Sequence, residues 1–240
     1  MKIAANVRSD SEFGAAQSLI SRLECDLIQL EPYSKYRRFV EAAAAPMSVN
    51  QSRSFGAVAM LQQQTHCLQT DEESNESILF YRGNQNGGGP LKCVFATDHS
   101  DYANLALDKF IGLDPKGIAS LEIFSAIEPT CRMSVANLHR HLADMVGELH
   151  DAREIARRSA ELASRIESLG ISCGTKLRTG HVAHLVDGAV KDSQADLLIL
   201  GAQGENAQNG SRYGAVTTAV LQQAQYPVLV LRIHQPGSSN

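Results

Sequence analysis

The sequence has no long apolar run and no excess of positive charge. No stretch approaches the roughly 18 consecutive apolar residues of a membrane-spanning helix, and the opening MKIAANVRSDSEF turns polar too early for a secretory signal. A formal net charge of −4 over 240 residues provides no basic field for nucleic acid. We therefore expect a cytoplasmic protein whose partners include neither nucleic acid nor a membrane.

Several chemical motifs are also missing. The 5 cysteines are scattered, without a C-x-x-C pair or a histidine at zinc-finger spacing, so we expect idle or buried thiols and no metal site. His181 and His184 have helical i, i+3 spacing but lack an identifiable third ligand. There is no G-x-x-x-x-G-K-(S/T) loop and no nucleophile elbow, so fast phosphoryl transfer is not expected and no catalytic residue is predicted.

The composition divides the chain before residue 91. The stretch NQNGGGP is typical of a flexible linker, and apolar residues at helical spacing precede it within residues 11–30 and 52–69. Three interpretations of the first part remain open: a small helical appendage, a partner-binding arm, or a mostly disordered segment. The predicted organisation is an extension of unknown role (1–82), a Gly-rich linker (83–90), a domain (91–233) and a flexible tail (234–240).

Strand and helix patterns alternate after residue 91. Such alternation predicts an α/β fold with a five-stranded parallel sheet and helices on both faces, because parallel strands need crossover connections. Ser100 is the expected N-cap of the first helix, and Gly170 is expected to end the long one. The predicted strands are 91–97, 118–127, 171–179, 195–201 and 227–233, and the predicted helices are 100–113, 134–169, 181–193 and 215–225.

Two places at strand carboxyl ends are candidate sites, since ligands of such sheets bind there. Asp98 follows the first strand, and the loop GAQGENAQNGSRYG follows the buried run ADLLILG. Gly201 and Gly204 permit a close backbone approach, and Gly214 opens a helix whose first amides suit an anion. The competing interpretation is an ordinary mobile loop.

The motifs ATDHSDYANLALDKF, ADLLILGAQG, GAVTTAV and PVLVLRI, in this order, resemble the universal stress protein family over residues 91 to about 233. The resemblance implies a sheet of the adenine nucleotide α-hydrolase type and, in one branch of the family, bound ATP. It also implies a homodimer in which the 227–233 strand pairs with its counterpart in a second copy. That strand is apolar on both faces and would otherwise leave an edge.

The resemblance also implies roles for individual residues. Asp98 and the backbone of Ala126 would lie at the adenine and ribose end of an ATP or AMP ligand, and Gly201 and Gly204 would pass under the ribose and phosphates. Magnesium is an open possibility, and no metal ligand is implied. The residues that would meet the phosphates at the helix start are Gly214, Ala215, Val216 and Thr217.

Two departures from the family pattern bear on this site. Ala215 stands where the ATP-binding pattern has Ser or Thr, and a lost hydrogen bond to a charged group, worth about 1.5–3 kcal/mol, would weaken binding roughly tenfold or more. Thr217 still offers a hydroxyl. Glu205 would face a polyphosphate and offset Arg212, the cation of the loop.

The resulting functional prediction is a nucleotide-binding regulatory module of the stress response with little or no turnover. A protein-interaction module of the same fold that binds no nucleotide is the alternative favoured by Ala215 and Glu205. An ATP-consuming enzyme of the same fold is the third hypothesis. The protein partners cannot be named from the sequence.

Overall fold

The computed structural model describes residues 2–7, 9–24, 29–32, 77–82, 89–128, 138–204 and 213–233. In chain order the elements in these ranges are β1 (Lys2–Asn6), α1 (Asp10–Ser21), β2 (Gln29–Pro32), β3 (Ser77–Phe80), β4 (Leu91–Ala96), α2 (Asp101–Ile111), β5 (Ile118–Ile127), α3 (Leu138–Glu167), β6 (Ser172–Thr179), α4 (Val182–Asp192), β7 (Leu197–Gly201), α5 (Ala215–Gln223) and β8 (Val228–Leu231).

The C-terminal unit forms the predicted sheet. Strands β4 to β8 are all parallel to their neighbours within the unit and lie in the order β8-β7-β4-β5-β6. Buried side chains of α2 and α3 pack in one apolar cluster and those of α4 and α5 in another, so helices cover both faces. The five-stranded α/β fold predicted for this part of the chain is confirmed.

The ends of two helices follow the local sequence signals. Ser100 is the N-cap of α2, and its hydroxyl accepts a hydrogen bond from the amide of Ala103 at 3.2 Å. The long helix α3 ends at Glu167, and Gly170 follows with a φ of +82°, a conformation that glycine adopts without a steric penalty. Both boundary predictions are confirmed.

The N-terminal extension belongs to the same sheet and core. The full strand order is β2-β1-β3-β8-β7-β4-β5-β6, and α1 packs in the same cluster as α2 and α3. At the end of α1, Arg22 donates from Nε to the Gly89 carbonyl at 2.9 Å and pairs with Asp196 at 3.6 Å. The Gly117 amide donates to the Leu23 carbonyl at 3.0 Å, and a Cβ at Gly117 would collide with the Arg22 carbonyl.

The edge of β8 that is predicted to pair with a second copy is occupied by a strand of the same chain. Strand β3 pairs with β8 in antiparallel orientation, with Ile78 opposite Val230 and Phe80 opposite Val228. The backbone groups that a second copy would need for the predicted homodimer are thus used within the chain. Helical structure in the extension is observed at α1, whereas β1, β2 and β3 were not predicted. Residues 33–76, most of the linker and the 234–240 tail lie outside the described residues.

The two described cysteines are unbridged thiols. Burial raises the pKa of Cys93 far above its usual range, and it raises the pKa of Cys173 to about 11. Both thiols therefore stay protonated at neutral pH. No helix within the described residues is both long enough and apolar enough to cross a membrane.

Candidate functional site

A cavity of about 220 Å³ opens where β4 and β7 end. From β4 the chain continues to β5 on one side, whereas β7 flanks β4 on the other, so this is the point at which the strand order reverses. Glu205 and Arg212 lie outside the described residues. All the residues predicted to bind nucleotide line the cavity: Asp98, Ala126, Gly201, Gly204, Gly214, Ala215, Val216 and Thr217.

One wall of the cavity is apolar. Phe124 at the end of β5 and Val182 and Val186 on α4 contribute to it, and none of them was predicted as a site residue. The Phe124 carbonyl accepts from the Thr97 amide at 3.0 Å. Because alternate residues of a strand direct their N–H and C=O groups to the same side, the backbone of Ala126 points beyond the end of β4. The position expected for the adenine end of a ligand is therefore bordered by apolar side chains and strand backbone.

Asp98 is held at the cavity by a turn between β4 and α2. Its Oδ1 accepts from the Ser100 amide at 3.0 Å and from the Ser100 hydroxyl at 2.6 Å. The intervening His99 has a φ of +58°, in the left-handed region that few non-glycine residues occupy. This strained conformation directs Asp98 to the cavity while Ser100 caps α2.

A buried hydrogen-bond network fixes the turn from behind. His99 is 4% exposed, and its Nε2 lies 3.0 Å from the Ser125 hydroxyl on β5 and 2.9 Å from the Ser159 hydroxyl on α3. Burial lowers the pKa of His99, and the Arg158 guanidinium lowers it further. The neutral imidazole thus ties the Asp98 turn to two elements. His99 is not among the site residues predicted from the sequence, and the signal that could have found it is its position directly after Asp98.

Gly204 and Asp98 are in close contact. A Cβ at Gly204 would overlap Asp98 Oδ2 and lie 3.3 Å from Asp98 Cγ, so a larger residue would displace the carboxylate. A Cβ at Gly201 would lie 3.1 Å from the Gln203 carbonyl oxygen, which is also tight. At Gly214 an added Cβ would meet nothing closer than 3.6 Å. Close approach of neighbouring atoms therefore explains why glycine is needed at Gly201 and Gly204, but it does not explain Gly214.

The start of α5 forms the opposite end of the cavity. Gly214 is the N-cap, and its amide donates to the Ala202 carbonyl at 2.8 Å, which closes the loop at its base. Ala215 and Val216 are exposed. Thr217 is buried and its hydroxyl donates to the Gly201 carbonyl at 2.9 Å. In this structure that proton holds the loop to the helix, and the contact of Thr217 with phosphate stays a prediction.

This arrangement suits a ligand with a flat apolar part and an anionic end. The apolar wall can pack against a ring of the ligand, and the Asp98 carboxylate can accept hydrogen bonds from its hydroxyl groups. The first amides of α5 favour a negatively charged group. Among the described residues no group of three or more His, Cys, Asp or Glu side chains is placed to hold a metal ion. The centroids of the His181 and His184 rings lie 4.8 Å apart, but these two side chains are not part of such a group.

A parallel α/β sheet with a ligand cavity at the reversal of strand order defines the class of protein. The universal stress protein family matches residues 91–232. The chain belongs to this family, as its motifs predicted. No curated protein matches the sequence at a significant level.

Solved structures share the fold. Universal stress protein UspA from Lactobacillus plantarum is 21% identical with a TM-score of 0.50, covering 61% of this chain and 100% of its own. The hypothetical protein MJ0577 is 18% identical with a TM-score of 0.52, covering 60% of this chain and 97% of its own. The functionally unknown protein PA1789 from Pseudomonas aeruginosa PAO1 is 14% identical with a TM-score of 0.54, covering 96% and 91%. The likeness to PA1789 thus includes the N-terminal extension.

Proposed function

We propose that this protein binds an adenine nucleotide, ATP or AMP, and acts as a regulatory module of the stress response with little or no turnover. The observation that carries the proposal is that every residue predicted to contact the nucleotide lines the same cavity. Family membership supports the stress-related role.

The shape of the cavity supports a particular orientation of the nucleotide. Its volume of about 220 Å³ is below the roughly 300–1,000 Å³ typical of sites that enclose a whole drug-sized ligand. We therefore place the base and ribose in the cavity, with the base against Phe124 and Val186 and a ribose hydroxyl donating to Asp98. The phosphates then lie at the first turn of α5, where backbone amides provide the donors.

The alternative function is a module that binds other proteins and no nucleotide. Ala215 favours it, since no hydroxyl is present at the first helical position of α5. The commitment of the Thr217 hydroxyl to the Gly201 carbonyl favours it as well. Backbone amides alone must then hold the phosphates, so the affinity decides between the two functions.

The test is nucleotide content and affinity. Freshly purified protein is denatured and any released nucleotide identified, and ATP and AMP are titrated by calorimetry with and without Mg²⁺. We expect micromolar binding that Asp98→Asn weakens about tenfold through loss of a charge-assisted hydrogen bond. Asp101→Asn is the matched control, because Asp101 is exposed in the first turn of α2 and does not line the cavity.

The same preparation tests turnover. Incubation with ATP, followed by chromatography of the nucleotides, is expected to show little or no cleavage. Cleavage that Asp98→Ala abolishes would support the enzyme hypothesis instead. Absence of any nucleotide, with no heat of binding for ATP or AMP, would support the protein-interaction module.

A further inference from the structure

Strand β3 of the N-terminal extension contacts the end of the glycine loop. The Phe80 and Tyr213 rings meet edge to face, with centroids 6.3 Å apart and planes at 71°. Both are buried, at 4% and 6% exposure. Tyr213 immediately precedes Gly214, the N-cap of α5. A side chain of the extension thus packs one residue away from the cavity lining.

A second set of contacts joins β3 to Tyr213 through Arg232. Arg232 is 8% exposed, and its guanidinium donates to the Tyr213 hydroxyl at 2.9 Å, with Cζ 5.1 Å from the ring centroid. The Arg232 amide donates to the buried Ser77 hydroxyl at 3.2 Å. Lys109 Nζ donates to the Arg232 carbonyl at 2.7 Å and to the Ser77 hydroxyl at 3.3 Å. The first and last residues of β3 therefore both support the environment of Tyr213.

Tyr213 directly precedes the residue that closes the base of the loop. The Gly214 amide donates to the Ala202 carbonyl at 2.8 Å, and the Ala202 amide donates to the Leu231 carbonyl of β8 at 2.8 Å. The start of α5 is thus held by β8 through backbone and by β3 through the Tyr213 side chain. Loss of the Phe80 contact would leave the first turn of α5 with less packing on this side.

We propose that β3 is a positioning element of the candidate nucleotide site. Phe80 acts through Tyr213 to hold the first turn of α5, where the phosphates would bind, so the extension completes the site from within the same chain. The effect on nucleotide affinity rests on the proposed function, whereas the effect on the helix start does not.

Leu79 provides a matched control on the same strand. It is fully buried, but its side chain packs in the opposite cluster, against residues of β1, α1 and α2, whereas Phe80 and Tyr213 share the other cluster. Leu79→Ala and Phe80→Ala both remove buried apolar groups from β3. Only Phe80→Ala removes the contact with Tyr213.

The experiment measures amide hydrogen exchange of the full-length apo protein and ATP affinity by calorimetry, below the unfolding transition of each variant. The amides that report on the start of α5 are those of residues 218–221, because the Thr218 amide makes the first helical hydrogen bond, to the Gly214 carbonyl at 2.9 Å. We expect Phe80→Ala to speed their exchange about tenfold relative to the amides of α4, and to weaken ATP binding about tenfold. Leu79→Ala should leave both the relative exchange rate and the ATP affinity near their wild-type values. In a Tyr213→Ala background, Phe80→Ala should add nothing further, because it acts through Tyr213.

Unchanged exchange at residues 218–221 in Phe80→Ala would overturn the proposal, and so would an equal effect of Leu79→Ala. Full additivity with Tyr213→Ala would do the same. If Phe80→Ala does not fold, Phe80→Leu, which retains most of the volume but not the ring, replaces it under the same criteria. A wild type that binds no ATP would refute the proposed function, and the exchange data would still decide the positioning role.

Discussion

Gly204→Ala is a minimal change with a defined steric consequence. The new methyl group would occupy the place of Asp98 Oδ2, so the carboxylate must rotate away or the loop must retreat. Rotation breaks the hydrogen bonds that Asp98 Oδ1 accepts from the amide and hydroxyl of Ser100. The substitution therefore disturbs the cavity through Asp98 even though alanine is small.

The magnitude follows from these two bonds. Hydrogen bonds to a charged group contribute about 1.5–3 kcal/mol each, but Asp98 is exposed and water replaces much of what is lost. We expect a net loss of about 1 kcal/mol in the free energy of unfolding, or a Tm lower by about 2–4 °C in a chain of this size. If Asp98 also accepts a ribose hydroxyl, ATP affinity falls about tenfold.

The assay is thermal unfolding by circular dichroism together with ATP calorimetry. Gly174→Ala on β6 is the control, since a Cβ there meets nothing within 4 Å. Both variants restrict the unfolded chain equally, which by itself stabilises by about 0.4–1 kcal/mol, so the comparison isolates the clash. A Gly204→Ala protein as stable as Gly174→Ala, with unchanged ATP affinity, would refute the reasoning.

Three further predictions concern other parts of the molecule. Ala215→Ser should strengthen ATP binding about tenfold in calorimetry by adding a hydroxyl donor at the start of α5, and an unchanged Kd would count against phosphates at this position. The pKa of His99 is lower in the folded protein than in the unfolded chain, so the unfolded chain takes up a proton first as the pH falls. The free energy of unfolding in urea should therefore be full above pH 6.5 and decrease as the pH falls toward the folded pKa. His99→Asn should flatten this pH dependence. Leu79→Lys should detach β3 and expose the edge of β8, so the variant should self-associate in sedimentation velocity. If the wild type is already a dimer and the variant stays the same dimer, the edge of β8 is not occupied by β3 as described.

The C-terminal unit was predictable because its signals are local. The buried run of β7, the Ser100 cap and the Gly170 stop each report on neighbouring residues, and the family motifs lie at strand ends. The contact between Gly204 and Asp98 was not predictable from propensity, because it joins residues far apart in the sequence. The same holds for the use of the Thr217 hydroxyl by the Gly201 carbonyl.

The strands of the extension were missed for a different reason. β2 and β3 are four residues each and depend on partners distant in sequence, so the short apolar stretch at Ser77–Phe80 carries no helical or alternating pattern long enough to interpret. A signal did exist as an internal repeat. Ser9-Asp10 after β1 matches Ser100-Asp101 after β4, and Leu30-Glu31-Pro32 matches Ile127-Glu128-Pro129.

The repeat also shows how the end of β1 differs from the end of β4. Ser9 caps α1 through the Glu12 amide as Ser100 caps α2 through the Ala103 amide, which makes Val7 the counterpart of Asp98. Val7 is 7% exposed and packs in the apolar cluster of α1, α2 and α3, so the first unit uses this position for its core. A valine has no carboxylate, so it can neither accept a hydrogen bond from a ligand nor make the contact that Asp98 makes with Gly204. Within the described residues the chain therefore presents one candidate site of this kind, at the end of β4, and β3 of the first unit closes the edge of β8 and contacts Tyr213.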